Sequence, residues 1–117
     1  MNTPRYHCIM DISEANDGIA SVAVVREFLV KMATAVHMSI LAGPVVVEGV
    51  PENPGVTGFA VVDYSHISVH TFTSYREAMI DVFSCKPYER EVMRRLCLET
   101  FGGEGSMVRE QEVHWGA

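Results

Sequence analysis

From Thr57 to Phe72 the chain reads TGFAVVDYSHISVHTF, a run of β-branched and aromatic residues with polar residues at alternate positions. This is a strand pattern, yet it far exceeds the usual length of about five or six residues. After Gly58 it holds no Gly, Pro or Asn to turn it. A segment of this kind commits the chain to a sheet and predicts an unusual event within the run. It also crowds Ser65, His66, Ser68 and His70 into one stretch.

The rest of the chain bounds what that sheet can belong to. At 117 residues it is one domain, residues 1–117, large enough for a core but with much of its surface left over. It is 48% hydrophobic and 21% charged, a globular balance. No apolar run approaches the ~20 residues that cross a bilayer. The opening MNTPRYHCIMDIS has no basic stretch followed by an apolar one, so the expected location is cytoplasmic. Cys8, Cys85 and Cys97 are odd in number and lack CxxC spacing, which predicts free thiols. A net charge of −6 without a Lys/Arg cluster argues against nucleic acid as a partner.

Hydrophobic spacing gives the element order. Residues 5–13 read as a strand, and Asn16 or Asp17 offers a helix N-cap. Val22, Val25, Leu29, Met32, Val36 and Ile40 then recur at three- and four-residue steps, so a helix is predicted up to Gly43-Pro44. Strands follow at 45–50 and within 57–72 and 78–85. A helix starts near Pro87 with Tyr88, Val92 and Leu96 on one side, and an edge strand closes the chain at 106–113. The order βαββββαβ packs most economically as an α+β two-layer sandwich, an antiparallel sheet with both helices on one face. Val61, Ile67, Val69 and Val82 supply more apolar strand surface than one face needs. A homodimer, paired sheet to sheet or edge to edge, is therefore expected.

The polar cluster admits several readings. His66 and His70 on one face of a strand stand about 13 Å apart, too far to share an ion, and no metal is expected. Cross-strand hydrogen bonding alone would account for such residues. A serine in strained backbone can do more. Its hydroxyl can attack the preceding carbonyl, converting the peptide to an ester, and elimination then leaves an N-terminal pyruvoyl group. A nearby hydroxyl or imidazole must stabilise the oxyanion and move protons.

GVTGFAVVDYSHISVHTF followed by AMIDVFSC, residues 55–85 in detail, resembles the short prokaryotic S-adenosylmethionine decarboxylases. Their matching stretch reads roughly G-V-S-G, a hydrophobic run, E-S-H, S/T-I-H-T-W and D-V-F-T-C. The resemblance implies a proenzyme cut between Tyr64 and Ser65 into residues 1–64 and 65–117. Ser65 would become the pyruvoyl cofactor, in a two-layer sandwich that dimerises with active sites at the interface. By the same resemblance His70 assists processing, Thr57 stands where the family has a processing serine, and Cys85 is the catalytic proton donor. Asp11 falls near the acidic residue that the family sets beside the substrate amine. His7, His37, His114 and Cys97 match no motif and read as structural. The implied chemistry is decarboxylation of a small amine-bearing substrate, with the ketone accepting electrons as carbon dioxide leaves.

The departures from the family pattern concern the substrate. His70-Thr71-Phe72 is followed by Thr73 and Ser74, where the family has Pro-Glu to hold ribose. Val50 or Pro51 occupies the place of an aromatic that stacks on adenine, and Tyr64 replaces a glutamate. With Glu48 and Glu52 nearby, a basic amino acid, L-arginine or L-ornithine, is the expected substrate, its cation anchored by Asp11, Glu48 or Glu52. S-adenosylmethionine itself, for spermidine synthesis, is the alternative. An inactive regulatory homologue is a further one, against which the retained Ser65, His70 and Cys85 weigh.

Overall fold

A computed structural model describes residues 3–116. Its elements are β1 (Tyr6–Ser13), a short 3-10 turn (Asp17–Ala20), α1 (Val22–Ala35), β2 (Ile40–Glu48), β3 (Val56–Val62), β4 (Ser65–Phe72), β5 (Glu77–Ser84), α2 (Arg90–Phe101) and β6 (Met107–Glu112). The strands form one antiparallel sheet in the order β2-β3-β4-β5-β1-β6. Both helices lie on one face of it. This is the two-layer α+β sandwich expected from the sequence, with the same element order. No helix among the described residues is long and apolar enough to cross a membrane.

The core lies between the sheet and the helices. Helix α1 buries Val25, Phe28, Leu29 and Met32, and α2 buries Met93, Cys97 and Phe101. From the sheet come Met10, Ile12, Ile67, Val69, Ile80 and Val82. Each fully buried apolar side chain of this size contributes about 1.5–3 kcal/mol. Phe28 and Phe101 join the helices at 5.0 Å between ring centroids. Gly58 lets α1 settle on β3, since a Cβ there would lie 2.8 Å from both Leu29 and Val25.

Three expectations are corrected. Helix α1 ends at Ala35, not at Gly43-Pro44, because His37 takes a positive φ of 61° and turns the chain. Strand β2 runs through Gly43-Pro44, which an edge strand tolerates by shifting register there. The long run from Thr57 to Phe72 is not one strand. It folds back at Asp63-Tyr64 into a hairpin, pairing Thr57 with His70 and Val62 with Ser65.

Candidate active site

The hairpin turn between β3 and β4 is held from several sides. The Ser39 amide donates to the Asp63 carboxylate at 3.0 Å, and the Asp63 amide donates to the Ser39 carbonyl at 3.0 Å. The Cys85 amide donates to the Tyr64 carbonyl, also at 3.0 Å. Between these clamps Ser65 has φ of 146°, a region that is nearly exclusive to glycine and costs other residues roughly 1–3 kcal/mol. The strained residue is the one expected to cut the chain. The carbonyl its hydroxyl would attack already accepts a backbone N–H, the arrangement that stabilises a developing oxyanion.

Alternation along the strands sends a second set of side chains to the face opposite the helices. Thr57 Oγ1 and His70 Nδ1 lie 3.1 Å apart across β3 and β4, with the imidazole exposed. Thr57 and His70 thus meet across the hairpin, and the Cys85 amide reaches the carbonyl that precedes Ser65. The two pairs do not meet each other. Five residue steps along β4 separate Ser65 from His70, roughly 16 Å at strand rise.

Of the expected anchors, Asp11 already accepts from Arg109 Nε at 3.0 Å. It lines a concavity of about 540 Å³ with Ser68, His70, Asp81 and Gln111. Glu48 lines a different depression beside Val50, Pro51 and Thr73, and Glu52 sits exposed in the β2–β3 loop. The three carboxylates do not form one anchor.

Sequence reasoning missed Asp81. Its Oδ1 lies 2.9 Å from His7 Nε2 and 3.6 Å from His66 Nε2. Trp115 Nε1 donates to His7 Nδ1 at 3.0 Å, which leaves His7 Nε2 to carry the proton given to Asp81. His66 stacks on Phe59 at 5.4 Å and faces Phe83 at 5.6 Å. His7, read as structural, therefore belongs to a polar group on the outer face. The available signal was parity: Asp81 interrupts an apolar strand at an outward position. Deep in the core, burial pushes the Cys97 thiol up to about 12 and also raises Cys8.

The sequence model described as S-adenosylmethionine decarboxylase matches residues 6–112. An S-adenosylmethionine decarboxylase proenzyme of Pyrobaculum neutrophilum is 33% identical over 114 residues, covering 90% of this chain and 86% of that relative. One from Prochlorococcus marinus is 34% identical over 79 residues, covering 68% of this chain and 63% of its own length. The crystal structure of the adenosylmethionine decarboxylase from Aquifex aeolicus superimposes with a TM-score of 0.77 at 21% identity, covering 100% of this chain and 96% of that one. Fold, site and likeness together define an enzyme of the decarboxylase class. The chain belongs to the S-adenosylmethionine decarboxylase family.

Proposed function

We propose that the chain is a proenzyme that cuts itself between Tyr64 and Ser65, giving residues 1–64 and 65–117, and then decarboxylates an amino acid with a cationic side chain. The observation that carries this reading is the strained Ser65, φ 146°, beside a Tyr64 carbonyl that accepts the Cys85 amide. Attack of Ser65 Oγ on that carbonyl breaks the Tyr64 C–N bond, forms an ester C–O bond and passes a proton to the freed nitrogen. Loss of the Ser65 Cα proton then expels Tyr64 as a carboxylate that keeps the serine oxygen. One water hydrolyses the remaining N-terminal enamine, releasing ammonia and leaving the pyruvoyl ketone.

The residues present fit that group: Ser65 supplies its atoms and the turn clamps fix its place. When formed, the ketone supplies an electron sink for carboxylate loss. Cys85, half-buried and next to the cut, returns a proton to the substrate Cα. His70, oriented by Thr57, moves protons during processing. These two reach a Ser65 site only on a second copy of the chain. The outer sheet face suits such pairing, since Val45, Val47, Phe59, Val61 and Met79 all stand exposed on it. Two copies face to face and antiparallel bring Thr57 and His70 of each toward Ser65 of the other.

The relatives' names support S-adenosylmethionine as the substrate. A specific observation favours L-arginine or L-ornithine: the β4–β5 turn, Thr73 to Arg76, carries no carboxylate to hold a ribose. Glu48 and Glu52 remain free of ion pairs among the described residues. Intact-mass measurement tests processing, with two fragments expected from the parent chain and one full-length species from Ser65→Ala. Release of labelled carbon dioxide from each candidate decides the substrate. Turnover of S-adenosylmethionine alone overturns the basic-amino-acid reading, and absence of cleavage overturns the whole.

A further inference from the structure

Lys86 reaches back over the scissile turn. Its Nζ stands 4.3 Å from the centroid of the Tyr64 ring and donates to the His37 carbonyl at 2.6 Å. Its backbone is fixed as well, because the Lys86 amide donates to Ser84 Oγ at 2.9 Å and that hydroxyl donates to the Lys86 carbonyl at 2.8 Å. The ammonium thus ties three places together: the carbonyl just past the C-terminal end of α1, the end of β5, and the residue before the cut.

We propose that Lys86 is a positioning residue for self-cleavage and afterwards the counter-ion of the new chain end. The proposal rests on the cut before Ser65. Before the cut, the ammonium over the Tyr64 ring resists rotation of that residue, which keeps its carbonyl on the Cys85 amide. The cut turns the neutral Tyr64 carbonyl into a carboxylate, an added negative charge on the same residue whose ring the ammonium already covers. An electrostatic partner that strengthens as the reaction proceeds favours the cleaved state.

The test follows cleavage of the full chain by intact mass. Lys86→Met is expected to slow cleavage by about 2- to 30-fold, the worth of a cation over an aromatic face. Lys86→Arg restores most of the rate, and in a Tyr64→Leu background Lys86→Met has little further effect. Thermal unfolding reads the second half. Lys86→Met lowers the melting temperature of the cleaved protein more than that of uncleaved Ser65→Ala, whereas a purely structural lysine lowers both equally. Should Lys86→Met fail to fold, Lys86→Gln replaces it in every comparison. A parent chain that cleaves while Lys86→Met and Lys86→Gln keep its rate overturns this assignment alone. A parent chain that never cleaves overturns it together with the reading it rests on.

Discussion

Roughly 16 Å of β4 lies between Ser65 and His70, so a chain acting alone cannot bring its own imidazole to its own scissile bond. Two crippled chains should therefore rescue each other. Ser65→Ala has no nucleophile, and His70→Ala lacks a proton carrier worth about 10²–10⁴ in rate. In a mixed dimer of the proposed face-to-face kind one site would be complete, because the His70→Ala chain keeps Ser65 and the Ser65→Ala chain lends its His70. At equal co-expression about half of the dimers are mixed. About half of the His70→Ala chains, and none of the Ser65→Ala chains, should then be cut at the parental rate. Differently tagged chains, weighed by mass spectrometry at intervals, give each count directly, and in dimers purified through both tags every His70→Ala chain should be cut. If tagged mixed dimers are isolated and neither chain is cut faster than in the single-variant controls, the shared site is refuted. Parental cleavage by His70→Ala alone would remove His70 from the chemistry altogether.

Cys85→Ala should still be processed but release carbon dioxide orders of magnitude more slowly, because its proton is needed only after the ketone exists; unchanged turnover would return Cys85 to a packing role. Thr71 is buried and its hydroxyl accepts from the Val56 amide at 2.8 Å while donating to the Ile19 carbonyl at 2.6 Å. Thr71→Val strands both backbone groups at about 1–3 kcal/mol each, so a loss of about 2–6 kcal/mol is expected in urea unfolding of the uncleaved Ser65→Ala chain. A loss under about 1 kcal/mol would contradict that bonding. Iodoacetamide at neutral pH should label Cys85 before the buried Cys8 and Cys97, checked by peptide mapping. Because Cys97 is raised from the ordinary 9.0 to about 12 in the fold, unfolding releases its proton between those values. Stability should fall as pH climbs through that window, read as a falling urea midpoint.

Much of the fold was legible because it rests on period. Val25, Leu29 and Met32 mark α1, and the alternation of β4 and β5 separates Ile67, Val69 and Val82 from the outward His66, His70 and Asp81. The hairpin was not legible, because Asp63-Tyr64 has no Gly, Pro or Asn beside it and Ser65 takes a φ that local preference reserves for glycine. Its geometry is imposed by Ser39, Cys85 and Lys86, contacts that no local window contains. Within the candidate site, Thr57, Ser65, His70 and Cys85 were singled out by the family resemblance. Their separation was not, since it follows from register. The Asp81 group escaped because His7 and Trp115 come to it from opposite ends of the chain.

The strand order would give the proposed cut a lasting consequence. Residues 1–64 supply β1, β2 and β3, residues 65–117 supply β4, β5 and β6, and in the sheet these interleave, with β1 sitting between β5 and β6. Neither piece could leave without tearing open three strand junctions and the α1–α2 contact of Phe28 with Phe101, so severed halves would stay joined by sheet and helices together. The newborn chain finds this arrangement by a first-order search within itself. Once cut, a molecule that unfolds must find its other half by diffusion, a second-order event that dilution slows without limit. The strain at Ser65 would thus be spent once, and a processed molecule would keep a form that its own two pieces reach again only by chance encounter.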